Sequence, residues 1–229
     1  MDLNWKREIQ DDGYTIMPDA FSHREIFQLT LDLNEACLTR SRAGIRHALG
    51  NHIVAAVAQD ERLLAIARCT LGENPFPFRA TLFDKSPESN WLVVWHQDTA
   101  LPLRERREMA GWGPWSVKDN IIYARAPADA LDQVLALRLH LDDSTADNGS
   151  LRVLPTTHKS GVLTDEAISQ IAKQIPHVDC FVPQGGILAM KPLIVHASSK
   201  SRVDAPRRVL HIEYSSSPVL AEGMELAVA

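Results

Sequence analysis

After Pro77 the chain changes rhythm, and that change constrains the fold more than any other feature. Short apolar runs follow one another: Ala80–Phe83, Trp91–Trp95, Ile121–Ala124, Val134–Leu141, Leu151–Leu154, Phe181–Val182, Gly186–Met190, Leu193–His196 and Val209–Tyr214. Turn-forming clusters at 86–90, 142–149 and 198–206 separate them. Runs this short, broken this often by Gly, Pro, Asn, Asp and Ser, are strands of a sandwich or barrel. Helical spacing comes before them. Ser22, with Glu25 three positions later, carries the capping-box pattern ahead of Ile26, Leu29, Leu33 and Leu38. A second, continuous helix is expected from Asn51 to about Leu71, stopped by Gly72 and Pro75. One more, Thr164 to Gln174, interrupts the strands. Helices that precede the strands, rather than alternate with them, predict a mainly β (α+β) architecture with helices packed on one face of a sheet.

The 229 residues suit one large domain, 1–229, with helices over about 1–75 and a β core over about 76–216. Hydrophobic residues at 45% and charged residues at 23% exclude a disordered chain, a collagen-like fibre and a coiled coil. Lys plus Arg (24) against Asp plus Glu (29) leaves −5, with no basic excess to point to nucleic acid. Apolar stretches such as Ile187–Met190 are too short to cross a bilayer. The start, Met1-Asp-Leu-Asn-Trp-Lys-Arg, has no apolar signal core. Cys37, Cys69 and Cys180 are odd in number and lack CxxC spacing, so they read as reduced thiols of a cytoplasmic protein.

Three His-x-Asp pairs could serve a metal: His96/Asp98, His140/Asp142 and His177/Asp179. Residues i and i+2 of a strand share a face, with Cα atoms about 6.5 Å apart. An imidazole and a carboxylate so placed can reach one ion at roughly 2.0–2.2 Å. Spacing does not choose among the three, although His177-Val-Asp179 leaves little chain before His196 for a separate strand. His196, after two strand-like runs, can bring a second imidazole; its plainer reading is a half-buried histidine bonded to backbone. Two histidines and one carboxylate on one face leave three positions open on an octahedral metal, the facial triad of non-haem Fe(II) oxygenases.

Strand parity supplies the next partner. The chain turns near Ser199–Ala205 and returns as Pro206-Arg-Arg-Val-Leu-His-Ile-Glu-Tyr, bringing an arginine back beside His196. Arg208 shares a face with Leu210 and Ile212, whereas Arg207 shares one with His211 and Glu213. Arg207 is therefore the better fork for a carboxylate of a 2-oxo-dicarboxylic acid. By the same parity Leu137, Leu139 and Leu141 face the helices, and Arg138 and His140 face the interior, where they need polar partners.

Taken together, these motifs resemble the phytanoyl-CoA dioxygenase-like family of Fe(II)- and 2-oxoglutarate-dependent oxygenases. The resemblance rests on Gly13-Tyr-Thr-Ile-Met-Pro-Asp-Ala-Phe-Ser, Trp95-His-Gln-Asp98, Leu139-His-Leu-Asp-Asp, Asp147-Asn-Gly-Ser-Leu-Arg-Val-Leu-Pro-Thr-Thr-His-Lys159, and His196-Ala-Ser-Ser followed by Pro206-Arg207. It spans about Asp11 to Tyr214. It implies a double-stranded β-helix, a jelly roll with helices buttressing its larger sheet. It implies Fe(II) held by His96, Asp98 and His196, and 2-oxoglutarate and O2 as cosubstrates. Arg207 would bind the far carboxylate of 2-oxoglutarate, assisted by Ser198, with Thr81 and Arg138 lining its pocket. Halogenating relatives lack the carboxylate at the position of Asp98, so its presence favours hydroxylation; desaturation, epimerisation and ring formation use the same oxidant.

Two departures stand out. The family's usual Pro-Gly-Ser-His-Lys is here Pro155-Thr-Thr-His-Lys159, which implies an altered turn. The stretch 101–128 varies between members and is expected to form a lid, with Trp112 and Trp115 as substrate contacts and Arg104-Glu-Arg-Arg-Glu as a solvated face. The substrate implied is a small molecule, with neither nucleic acid nor membrane as partner. Two other classes fit the same ligands: a cupin-like metal enzyme indifferent to 2-oxoglutarate, and a catalytically silent binding protein.

Overall fold

The computed structural model describes residues 4–36, 44–85 and 89–229. Cys37, Leu38 and most of the turn expected at 86–90 lie outside them. Helix α1 (Asn4–Asp11) and strand β1 (Tyr14–Met17) come first, followed by α2 (His23–Glu35). The capping box forms as expected: the Ser22 side chain accepts from the Glu25 N–H, and the Glu25 carboxylate accepts from the Ser22 N–H at 2.8 Å. Ile26, Leu29 and Leu33 form the buried stripe of α2.

The second helical segment is two helices rather than one, α3 (His52–Ala58) and α4 (Glu61–Leu71). Asp60 is the reason. Its backbone is extended (φ −60, ψ 131), and its carboxylate accepts from the Arg62 N–H at 2.9 Å. A side chain able to cap a new helix competes with continuing the old one.

Strands β2 (Phe76–Lys85), β3 (Val93–His96), β4 (Ala100–Leu103), β5 (Trp115–Lys118) and β6 (Ile121–Arg125) follow. Next come α5 (Ala128–Leu131), β7 (Val134–His140), β8 (Leu151–Leu154), α6 (Asp165–Gln174), β9 (Val178–Cys180), β10 (Ile187–Met190), β11 (Val195–Ser198) and β12 (Arg207–Ser215). A short pair, β13 (Val219–Ala221) and β14 (Met224–Glu225), ends the chain. The ninth strand precedes the run Phe181–Val182 that was expected to form it. Val178 and Asp179 are exposed on the edge of their sheet, so no apolar run marks them. Strand β4 was likewise hidden, by Pro102, which an edge strand tolerates.

The strands form a jelly roll. The larger sheet runs β1-β10-β7-β12-β2 and the smaller β3-β11-β8-β9, with β4-β6-β5 as a third, outer sheet. Adjacent strands pair antiparallel. Parity on β7 is as expected. Leu135, Leu137 and Leu139 pack with Ile26, Leu29, Leu63 and Ile66 of the helices. Ala136 faces the other way, toward Leu151, Val153 and Leu188 between the sheets. Leu137 is fully buried, and burial of such a side chain contributes about 1.5–3 kcal/mol. Among the described residues no helix is long and apolar enough to cross a membrane.

Candidate metal centre

Strand β3 ends on His96, and β11 carries His196 directly opposite it in the antiparallel register. The two rings lie 4.2 Å apart between centroids. Asp98, just past the end of β3, is held by its own N–H, which donates to the Pro192 carbonyl at 3.0 Å. Its carboxylate then reaches both imidazoles: Oδ1 is 3.6 Å from His96 Nε2, and Oδ2 is 3.5 Å from His196 Nε2. One ligand atom from each residue falls within 4.8 Å of the others.

Both rings are oriented in the same way. His96 Nδ1 bonds the Val94 carbonyl at 2.9 Å, and His196 Nδ1 bonds the Ile194 carbonyl at 2.9 Å. A carbonyl can only accept, so Nδ1 carries the proton in each ring and Nε2 presents its lone pair toward Asp98. Burial pulls His196 down to about 4. Burial alone would raise Asp98, but the facing His196 and His96 hold it well below the usual carboxylate range. Against the effect of burial, Asp98 in turn raises His96 above its usual value; ligation of a metal requires both imidazoles neutral and the carboxylate ionised.

The rival pairs come apart. Asp142 is committed to Arg208, with Nη2–Oδ1 at 2.7 Å and Nε–Oδ2 at 2.8 Å. His140 is buried with no hydrogen-bond partner on either nitrogen among the described residues, and burial pushes it well below its usual range. His177 and Asp179 lie 3.8 Å apart, half exposed, on the edge of the smaller sheet. Among the described residues His96, Asp98 and His196 are the one group of three that could hold an ion.

Behind them is an inner cavity of about 110 Å³, bordered by the three residues together with Arg138, Ser198 and Arg207. Arg207 Nε donates to the Asn148 carbonyl at 3.3 Å and Nη2 to Ser198 Oγ at 3.5 Å; Nη1 is buried without a partner among the described residues. Arg138 Nη1 meets His211 Nδ1 at 3.0 Å, and its Nε is buried without a partner among the described residues. Burial pushes Arg207 down to about 9 and Arg138 down to about 10.

A third cation was missed in the sequence. Lys85 is fully buried, pairs in register with Arg207, and donates Nζ to Ser198 Oγ at 2.9 Å and to the Ser199 carbonyl at 2.6 Å. Burial first, then Arg207 and Arg138, push it down to about 7. The signal available was parity: Lys85 follows Thr81 and Phe83 at intervals of two, but it lay past the apolar run, where a loop was expected. Among the described residues none of these three buried basic groups pairs with a carboxylate, a setting suited to an anion.

Thr81 lines a different, outer cavity of about 280 Å³. Phe83 and Asp98 border both cavities. Trp112 and Trp115 border neither; Trp112 is buried with Leu101 and Leu103, and the partly buried Trp115 packs against that cluster. The 101–128 stretch instead contributes Lys118 and Tyr123 to the outer cavity. Its charge run is solvated as expected, with exposed local pairs Arg106–Glu108 and Arg107–Glu105.

The model of the phytanoyl-CoA dioxygenase family (PhyH) matches residues 9–209. The chain belongs to that family. Solved structures of similar fold include EctD from S. alaskensis with 2-oxoglutarate and 5-hydroxyectoine, 21% identical, TM-score 0.72, covering 94% of this chain and 76% of that one. The epimerase SnoN from nogalamycin biosynthesis, in complex with Fe3+ and alpha ketoglutarate, is 17% identical, with TM-score 0.72 and coverage of 94% and 83%. AviO1 from Streptomyces viridochromogenes Tue57 is 18% identical, with TM-score 0.69 and coverage of 94% and 95%. No curated protein is significantly similar in sequence. At these identities the likeness establishes the fold of this phytanoyl-CoA dioxygenase family member, and its chemistry is argued from its own residues.

Proposed function

We propose that the chain is a non-haem Fe(II)- and 2-oxoglutarate-dependent dioxygenase that hydroxylates an unactivated C–H bond of a small molecule. One observation carries this reading: the His96–Asp98–His196 group and the buried cations Arg207 and Arg138 face the same inner cavity, with Lys85 behind them on Ser198, while a second cavity reaches the same carboxylate. His96, Asp98 and His196 would hold the iron. With O2 and 2-oxoglutarate the iron supplies the oxidation of one C–H bond to C–OH, while 2-oxoglutarate leaves as succinate and CO2.

The chain's own residues bind and orient. Arg207 offers its free Nη1, with Lys85 beside it, to the far carboxylate of 2-oxoglutarate. Ser198 is a positioning residue, because its hydroxyl already donates to the Gly149 carbonyl at 2.7 Å and accepts from Lys85. Arg138 borders the same cavity and offers Nε. The outer cavity takes the primary substrate and presents it across Asp98. Helices α1 to α4 close the far side of the larger sheet, so the described residues act as one catalytic domain. The free thiols Cys69 and Cys180 suit a reducing compartment such as the cytoplasm.

The same site and oxidant would serve desaturation, epimerisation or cyclisation. Release of succinate from 2-oxoglutarate, dependent on Fe(II), ascorbate and O2 and lost in Asp98→Ala, tests the reading. Metal binding that 2-oxoglutarate does not alter would leave a cupin-like enzyme. Failure to bind Fe(II) or Mn(II) would leave a silent binding protein.

A further inference from the structure

The outer cavity has a property that C–H oxidation does not require: its mouth is cationic. Arg46 and Lys118 both line it and are exposed, and among the described residues neither forms an ion pair with a carboxylate. The third cation on its wall, Arg79, is already neutralised. Its Nη2 meets Glu213 Oε1 at 2.6 Å, its Nε bonds the other Glu213 oxygen, and Nη1 donates to the Ala100 carbonyl at 2.9 Å. His47 is engaged as well, with Nε2 at 2.8 Å from the Tyr123 hydroxyl and Nδ1 at 3.9 Å from Asp119. The Lys118 ammonium stays at the mouth over the Tyr123 ring, 5.1 Å from its centroid.

Two uncompensated cations on one small cavity repel each other; partial desolvation first, with Arg46 and Arg79 adding to it, holds Lys118 below its usual range. The chain as a whole carries −5, so this positive mouth is a local reversal of the overall field. Asp98, the acid at the floor, would have its charge taken up by the metal it would help to hold. An oxyanion at the mouth would form charge-assisted hydrogen bonds with both cations and relieve their repulsion. The cavity, about 280 Å³, is at the small end of ligand sites, which run roughly 300–1,000 Å³.

We propose that the primary substrate is a small acid whose oxyanion, carboxylate or phosphate, is held by Arg46 and Lys118, leaving its opposite end against Asp98. This rests on the reading of the outer cavity as the substrate site of a 2-oxoglutarate-dependent oxygenase. Phe83 and Tyr123 on the walls suit an apolar or aromatic body between the two ends.

The test uses the full chain loaded with Mn(II) and saturated with 2-oxoglutarate, so that the inner cavity is filled and no turnover occurs. It is titrated by calorimetry with 3-phenylpropionate, with its uncharged isostere 3-phenylpropanamide, and with inorganic phosphate. The expected result is a preference for the acid of about tenfold or more, equivalent to about 1.4 kcal/mol. Arg46→Gln and Lys118→Gln each remove most of that preference while affinities for Mn(II) and 2-oxoglutarate stay unchanged. Competition by phosphate against the acid assigns a phosphate-bearing substrate, and its absence a carboxylate. Equal binding of acid and amide, no binding of either anion, or full acid preference in both variants overturns the proposal. Titrating the metal-free protein with Mn(II) and then with 2-oxoglutarate separates the two readings: failure of either to bind sinks the oxygenase assignment, whereas loss of the acid preference in Arg46→Gln and Lys118→Gln is read at the outer cavity alone.

Discussion

His96 and His196, a hundred positions apart along the chain, are direct partners across β3 and β11, with ring centroids 4.2 Å apart. Each ring is pinned through Nδ1 by the carbonyl two residues before it, so both Nε2 atoms address the Asp98 carboxylate. The imidazoles are thus set by backbone, and Asp98→Ala should leave them in place. Metal affinity should nonetheless fall by more than the roughly 10–100-fold that follows loss of a group behind a ligand. Calorimetric titration with Mn(II) measures this, and wild-type affinity in the variant would overturn the ligand assignment.

The adjacent arginines should separate cleanly. Arg207→Gln removes the guanidinium whose Nη1 is free, and should raise the KM for 2-oxoglutarate at least about tenfold, about 1.4 kcal/mol. Arg208→Gln breaks a bidentate, partly buried pair with Asp142, and should cost about 1–3 kcal/mol of stability with the KM near wild type. Denaturant melts alongside KM values decide it; an exchange of the two effects would invert the parity argument.

Lys85 should make cosubstrate binding pH-dependent. Pushed down to about 7 by burial and by Arg207 and Arg138, it is protonated in the free protein below that pH and neutral above it. A dicarboxylate favours the protonated form, so binding takes up a proton once the pH exceeds 7. Affinity for 2-oxoglutarate should be level below pH 7, then fall by up to about tenfold per pH unit until the bound-state pKa is passed. Lys85→Met should flatten that dependence and weaken binding at pH 6.5. Calorimetry in buffers of differing ionisation enthalpy counts the proton, and an uptake of zero at pH 8 would refute the role.

Thr156 should be a site of removable strain. It stands where the family usually has glycine, and its backbone keeps the left-handed geometry, φ 68 and ψ −13. A β-branched residue adopts this left-handed turn at a cost of about 1–2 kcal/mol. Thr156→Gly relieves the strain but loosens the unfolded chain by roughly 0.5–1 kcal/mol. A net gain of about 0.5–1 kcal/mol, visible as a raised melting temperature, is expected; a lower one would mean that the Thr156 side chain makes a contact that outweighs the strain.

How far the sequence could be read follows the range of the forces involved. The Ser22–Glu25 box spans three residues, and the inward set Ala136, Arg138, His140 against the outward Leu137, Leu139 follows from strand alternation; both were legible. The break at Asp60 was also local, but a competing cap looks the same in sequence as a helix interior. Among the three His-x-Asp pairs nothing local decided, because Asp142 is removed by Arg208, which lies sixty-six residues away.

From its letters alone, then, the chain determined that short strands follow a helical preface, which face each strand residue takes, and that His96, Asp98, His196 and Arg207 could share one site. Tertiary structure decided what depends on register between distant strands: that Lys85 lies beside Arg207, that Thr81 lines the outer cavity, and that Arg46 and Lys118 meet at one mouth. Alternation along a strand is local covalent geometry. Which strand lies alongside which, and at what offset, is settled only when the whole core packs.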